Sequence, residues 1–129
     1  MLLFIFLHFG TKGQQHLNLA IPDPGDFSNI QTFLIAEDTL SSTFLIWVKK
    51  SVAEHYHAKH TENIYVLEGE GTMTLGDRTF TIRPGDHVFI PLGTRHSVET
   101  TEDKTLKVLS IQSPRFDGTD RIFTKGGSY

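Results

Sequence analysis

The chain has 129 residues and a formal net charge of −3, which suits one domain around a single core and offers no basic field for nucleic acid. It contains no cysteine, so disulfides, thiolate metal sites and a cysteine nucleophile are excluded. Any metal must be held by His, carboxylate or water ligands.

Met1–Phe9 (MLLFIFLHF) is almost wholly apolar, and Gly10–Gln15 turns small and polar. The run is far shorter than the roughly 20 residues that span a bilayer. It resembles the apolar part of a secretory signal with a small-residue cleavage zone near Gly13, although a positively charged start is missing. On that reading residues 1–15 are a signal-like segment, and a mature protein beginning near Gln14 works in a periplasm or outside the cell. Read instead as an N-terminal strand, the run belongs to the domain or to a partner subunit, and the protein is cytoplasmic.

Residues 16–30 form an irregular arm, broken by Pro22, Pro24 and Gly25. From there to residue 112, short β-rich runs alternate with turns. The runs are Gln31–Glu37, Thr43–Lys49, Glu54–His57, Asn63–Leu67, Gly71–Leu75, Arg78–Ile82, His87–Ile90, His96–Thr100 and Thr105–Ile111. Their joints carry turn chemistry, as in Glu68-Gly69-Glu70-Gly71, Gly76-Asp77, Pro84-Gly85-Asp86 and Pro91-Leu92-Gly93. No window sustains a helical period. Many short strands in one domain predict an all-β closed or nearly closed double sheet. Residues 113–129 read as a loop-like tail.

Chemistry concentrates in two stretches. In Glu54–Gly69 (EHYHAKHTENIYVLEG), His55 and His57 lie two apart on an expected strand, so their side chains leave the same face. Glu62 opens the next run and can point to the same interior. Two neutral imidazoles with a carboxylate suit a borderline divalent ion. In Gly85–Thr100 (GDHVFIPLGTRHSVET), the chain turns at Pro91-Leu92-Gly93 and His96 begins a new strand, supplying a fourth ligand.

These stretches resemble the two cupin motifs. His55, His57, Glu62 and Gly69 match H-x-H, four residues, E, six residues, G. Gly85, Pro91, Gly93 and His96 match G, five residues, P-x-G, two residues, H. Lys49 stands where the first motif often begins with Gly, and Thr100 where the second often ends with Asn; neither position supplies a ligand. The resemblance implies a cupin double-stranded β-helix, or jelly-roll, barrel of the RmlC-like kind over residues 31–112. It also implies one divalent transition metal ion (Fe, Mn, Ni, Cu or Zn) on His55, His57, Glu62 and His96. Three imidazoles and one carboxylate leave two positions of an octahedral ion for a chelating small molecule, or for substrate and dioxygen.

On this reading the protein is a metalloenzyme with oxygenase, isomerase, cyclase or lyase chemistry on a small oxygen-rich or sugar-like compound. The alternative is a non-catalytic module that binds a small ligand or a metal. Glu62 doubles as a candidate general base. His60, between the H-x-H pair and Glu62, is open to three readings: an extra ligand, a catalytic proton shuttle, or an exposed loop side chain, the last being the plainest. Val88 and Ile90 are expected inside, with His87 turned away from the site. Tyr65, Trp47 and Phe44 are expected in the core or pocket wall. The resemblance further implies a homodimer formed by sheet extension along Gln31–Glu37.

Overall fold

The computed structural model describes residues 14–101 and 104–125. The apolar run Met1–Phe9, and with it the signal and strand alternatives, lies outside the described residues. Those residues form strands and connections without a helix: β1 (Ile30–Glu37), β2 (Ser42–Val48), β3 (Ser51–Tyr56), β4 (Thr61–Glu68), β5 (Gly71–Leu75), β6 (Arg78–Ile82), β7 (His87–Ile90), β8 (His96–Thr100), β9 (Leu106–Ser113) and β10 (Ile122–Phe123). The first nine fall on the runs that β-branched and aromatic residues mark out between turns. The last is new. It pairs antiparallel with β3, Ile122 opposite Tyr56 and Phe123 opposite His55, inside a segment that reads as loop because two residues carry no period.

Two five-stranded sheets result, in the orders β1-β2-β9-β4-β7 and β10-β3-β8-β5-β6. All strand pairs are antiparallel. This is the all-β jelly-roll architecture expected of the sequence. Alternation decides what fills it. In β7, Val88 and Ile90 are buried while His87 and Phe89 are exposed. With Val48, Val66, Met73, Ile82, Leu106 and Val108 they form the core between the sheets, stabilised by roughly 1.5–3 kcal/mol for each large apolar side chain removed from water.

The same alternation corrects one expectation. Phe44 and Trp47 are buried, but Tyr65 is 44% exposed. In β4 the inward positions belong to Glu62, Ile64 and Val66, so Tyr65 falls on the outer face.

The arm preceding β1 is tied across the outside of the first sheet. Lys107, only 3% exposed, donates from Nζ to the Leu19 carbonyl at 2.7 Å and lies over the Trp47 ring at 5.4 Å. β1 is an outermost strand of its sheet, and Gln15 Nε2 caps its Ile35 carbonyl at 2.8 Å.

Candidate metal centre

Register brings the three histidines together. β3 and β8 run antiparallel with His55 directly opposite His96, and their ring centroids lie 4.2 Å apart. His57 follows two residues after His55, just past the end of β3 rather than within it as the run Glu54–His57 predicts, with its ring 5.1 Å from His55 and 5.2 Å from His96. The ligand atoms of the three rings all fall within 4.8 Å of one another. Glu62 reaches them from the opposing sheet. Its Oε2 sits 3.2 Å from His57 Nε2 and 3.5 Å from His96 Nε2. All four side chains are buried, none more than 5% exposed.

Each ring is held by its other nitrogen. His55 Nδ1 contacts the Ala53 carbonyl at 2.8 Å, His96 Nδ1 the Thr94 carbonyl at 3.0 Å, and His57 Nδ1 the Asp120 carbonyl at 2.5 Å. A carbonyl only accepts, so each Nδ1 carries a proton and each ring presents its Nε2 edge to its neighbours. Glu62 is divided in the same way. Its Oε1 accepts from Ser110 Oγ at 2.5 Å and, at a long 3.5 Å, from Gln112 Nε2, while Oε2 faces the imidazoles. Three oriented imidazole nitrogens and one carboxylate oxygen on a buried wall are a donor set that fits a first-row divalent ion once the proton on His57 Nε2 is given up.

The electrostatics of His55, His57 and Glu62 differ. Burial, then the charge of His96, pushes His55 down to about 3, so it stays neutral. Burial also opposes a charged His57, but the hydrogen bond to Glu62 outweighs it and its pKa is raised. Burial resists ionisation of Glu62, yet His57, His96 and Ser110 together hold its carboxyl well below the usual range. A cation bound here would compete with the proton that His57 and Glu62 share.

His60 is not an exposed loop residue: it is 7% exposed. Its Nδ1 lies 2.6 Å from Asp120 Oδ2 and its Nε2 3.0 Å from the Arg115 carbonyl. Both nitrogens are directed to the segment after β9 rather than to the histidine cluster. His87 is exposed and meets Asn63 Oδ1 at 3.0 Å.

Asp120 is the group that sequence reading misses. Its carboxylate accepts from Ala58 N at 2.9 Å, Lys59 N at 2.7 Å and His60 Nδ1, while its carbonyl orients His57. No spacing signals this, because the partners lie some 60 residues away in sequence. Ser110 and Gln112 did leave a trace. They are polar residues at the inward positions that continue Leu106 and Val108 along β9, where a core strand should be apolar.

Burial opposes the Asp120 charge, but hydrogen bonds from His60, Lys59 and Ala58 bring its carboxyl from 3.8 down to about 2. A folded-state pKa below the unfolded one adds stability above the unfolded value, and that stability is lost as pH falls through the folded one. The stability gap between wild type and Asp120→Asn is therefore expected to be full at about pH 6 and to shrink toward about pH 2. Urea unfolding across that range checks it, and a gap constant with pH would contradict the assignment.

A cavity of about 800 Å³ opens onto the cluster, lined by His55, Glu62 and His96 on one side and by Ile46, Val48 and Val108 among its apolar walls. Arg115, Phe116 and Arg121 line it as well.

Comparison with known proteins identifies the family. The cupin domain family matches residues 43–112. An uncharacterized protein of Aquifex aeolicus is 34% identical over 98 residues, covering 76% of this chain and 80% of that protein. Quercetin 2,3-dioxygenase of Bacillus subtilis is 41% identical over 63 residues, 49% of this chain but 18% of that enzyme. Among solved structures, KdgF from Halomonas sp. is similar in fold, with a TM-score of 0.70 at 23% identity, over 81% of this chain and 97% of that one. The protein belongs to the cupin family.

Proposed function

We propose that the protein is a metal-dependent cupin enzyme in which His55, His57, Glu62 and His96 hold one divalent transition ion and the adjoining cavity takes a small oxygen-rich metabolite. The observation that carries this reading is the orientation of the rings. Three Nδ1 atoms are spent on backbone carbonyls, the ligand atoms of the three rings lie within 4.8 Å of one another, and Glu62 Oε2 reaches two of them where His55, His96 and Glu62 line the cavity. When bound, such an ion supplies Lewis-acid or redox chemistry next to the ligand. The partial similarity to a dioxygenase favours a redox-capable ion over a purely structural one.

The chain's own groups divide the remaining work. Glu62 is the carboxylate nearest the reacting space and is the candidate proton acceptor. Ser110 holds the far oxygen of that carboxylate in place. His60 serves, on this reading, as a positioning residue: with Asp120 it fixes the segment that orients His57.

Elemental analysis of protein purified without an affinity tag is expected to find about one equivalent of a first-row transition ion, and loading is expected to raise the thermal midpoint. His57→Ala should take up little or none. Wild-type protein that holds no metal after reconstitution with Fe, Mn, Ni, Cu and Zn in turn would rule out the proposal.

A further inference from the structure

The cavity beside the histidine cluster is polar at its metal end and apolar along its strands. Ile30, Ile46, Val52, Ile64 and Val98 line it and pack against the core, yet each stays only partly buried. Pairing sets Ile30 opposite the buried Val48, Ile64 opposite the buried Val88, and Val52 opposite Val98, so these side chains point into the barrel. The apolar surface they leave uncovered faces the cavity.

The charged side chains of the wall outside the metal cluster are engaged with other groups of the protein. Arg115 is bound to Glu37 through two contacts, at 3.0 and 3.2 Å. Asp117 accepts from Thr119 N at 2.9 Å and from Thr119 Oγ1 at 2.7 Å. Asp26 is exposed and stands 3.8 Å from Lys49 Nζ. Arg121 is likewise engaged, in part over the Phe116 ring at 5.6 Å. Gln31 and Ser97 alternate with inward neighbours and turn to the outer faces, so Thr32 brings the one hydroxyl among the inward strand positions of this wall.

A sugar or polyol held against these strands would leave most of its hydroxyls without partners, at a cost that apolar contact does not return. Hydrocarbon there covers the open apolar surface instead. The volume of about 800 Å³ suits a small molecule. A ligand that fits both ends carries its oxygens together at the metal and hydrocarbon over the rest.

We infer that the cavity takes a small chelator with an alkyl or aryl body, its two oxygens toward His55, Glu62 and His96 and its body against Ile46, Val52, Ile64 and Val98, and that it discriminates against polyhydroxylated compounds. The inference rests on the metal-centre reading above and narrows the ligand to one whose oxygens are confined to one end.

Zinc-loaded protein, titrated calorimetrically with acetohydroxamate, butyrohydroxamate and hexanohydroxamate, tests it. Gluconohydroxamate serves as the chain of equal length that carries a hydroxyl on every tail carbon. One head group throughout keeps the bond to the metal constant. Each methylene adds roughly fourfold when fully buried, so hexanohydroxamate is expected to bind at least about tenfold more tightly than acetohydroxamate, with butyrohydroxamate between. Gluconohydroxamate should gain nothing over acetohydroxamate. Val52→Thr, nearly the same shape with a hydroxyl in the wall, should cut the gain from the long tail severalfold. Zinc affinity, measured separately, should not fall in that variant, since it keeps all four ligands.

No binding of any hydroxamate, equal affinity along the series, or gluconohydroxamate binding as tightly as hexanohydroxamate would each overturn the assignment. If Val52→Thr does not fold, the wild-type series decides alone. Failure of the metal reading looks different: wild type then takes up no zinc. The same tails compared on metal-free protein then decide whether the cavity prefers hydrocarbon, with tighter binding of the long alkyl tail supporting it and equal or absent binding overturning it.

Discussion

Replacing Glu62 with Gln is expected to weaken metal binding by roughly a hundredfold or more while leaving the barrel folded. Removing a group that merely orients a ligand costs about 10–100-fold in metal affinity, so loss of a charged ligand should reach or exceed the upper end. Glu62 is 5% exposed and is bonded through one oxygen to Ser110 while presenting the other to two imidazoles. Gln keeps that shape. Its carbonyl oxygen can accept from Ser110, and its amide can donate to an Nε2 lone pair, so no buried group need lose its partner. What disappears is the negative charge. The affinity of metal-free protein for Zn or Mn, measured by calorimetry beside a thermal unfolding curve, separates the two effects. Wild-type affinity in Glu62→Gln would remove Glu62 from the ligand set, and a collapse in thermal midpoint would mean that its charge is structural.

The largest loss of stability is expected at Gly69. This turn residue, between β4 and β5, has φ +80°, and a Cβ built on it would lie 2.3 Å from the Thr105 carbonyl oxygen and 2.9 Å from Leu106 Cα. Both obstacles are backbone, at the entrance to β9, and neither can swing aside. Gly69→Ala should therefore cost about 3 kcal/mol or more, combining left-handed strain with a clash. For a domain of this size that lowers the thermal midpoint by roughly 10 °C or more. Gly85 isolates the first part of that cost. It has φ +94° but nothing within 4 Å of an added Cβ, so Gly85→Ala should cost only about 1–2 kcal/mol. Equal, small shifts for the two variants would show that the Thr105 backbone yields.

The contrast between these glycines bears on what a sequence can reveal. Both stand in turns that the Gly and Pro pattern announces, and the nine longer strands between such turns were legible as β-rich runs. Alternation also placed His55 and His57 on one face, and it separated His87 from Val88 and Ile90. It failed where an element was too short to alternate, as in Ile122–Phe123. It also failed where the decisive partner lay far along the chain. His60 is buried only because the segment carrying Arg115, Phe116 and Asp120 folds back over it, and nothing around residue 60 announces that.

The hydrogen bond from His57 to the Asp120 carbonyl bears on where this domain may be cut. The stretch that matches the family ends at residue 112, and it contains all four candidate ligands. A boundary drawn there would leave a chain with every ligand in place and one imidazole free to turn, because the oxygen that fixes that ring lies eight positions beyond the cut. Relatives that share the ligand motif are therefore divided by a further question, which is what each supplies after its last long strand to keep that ring from rotating.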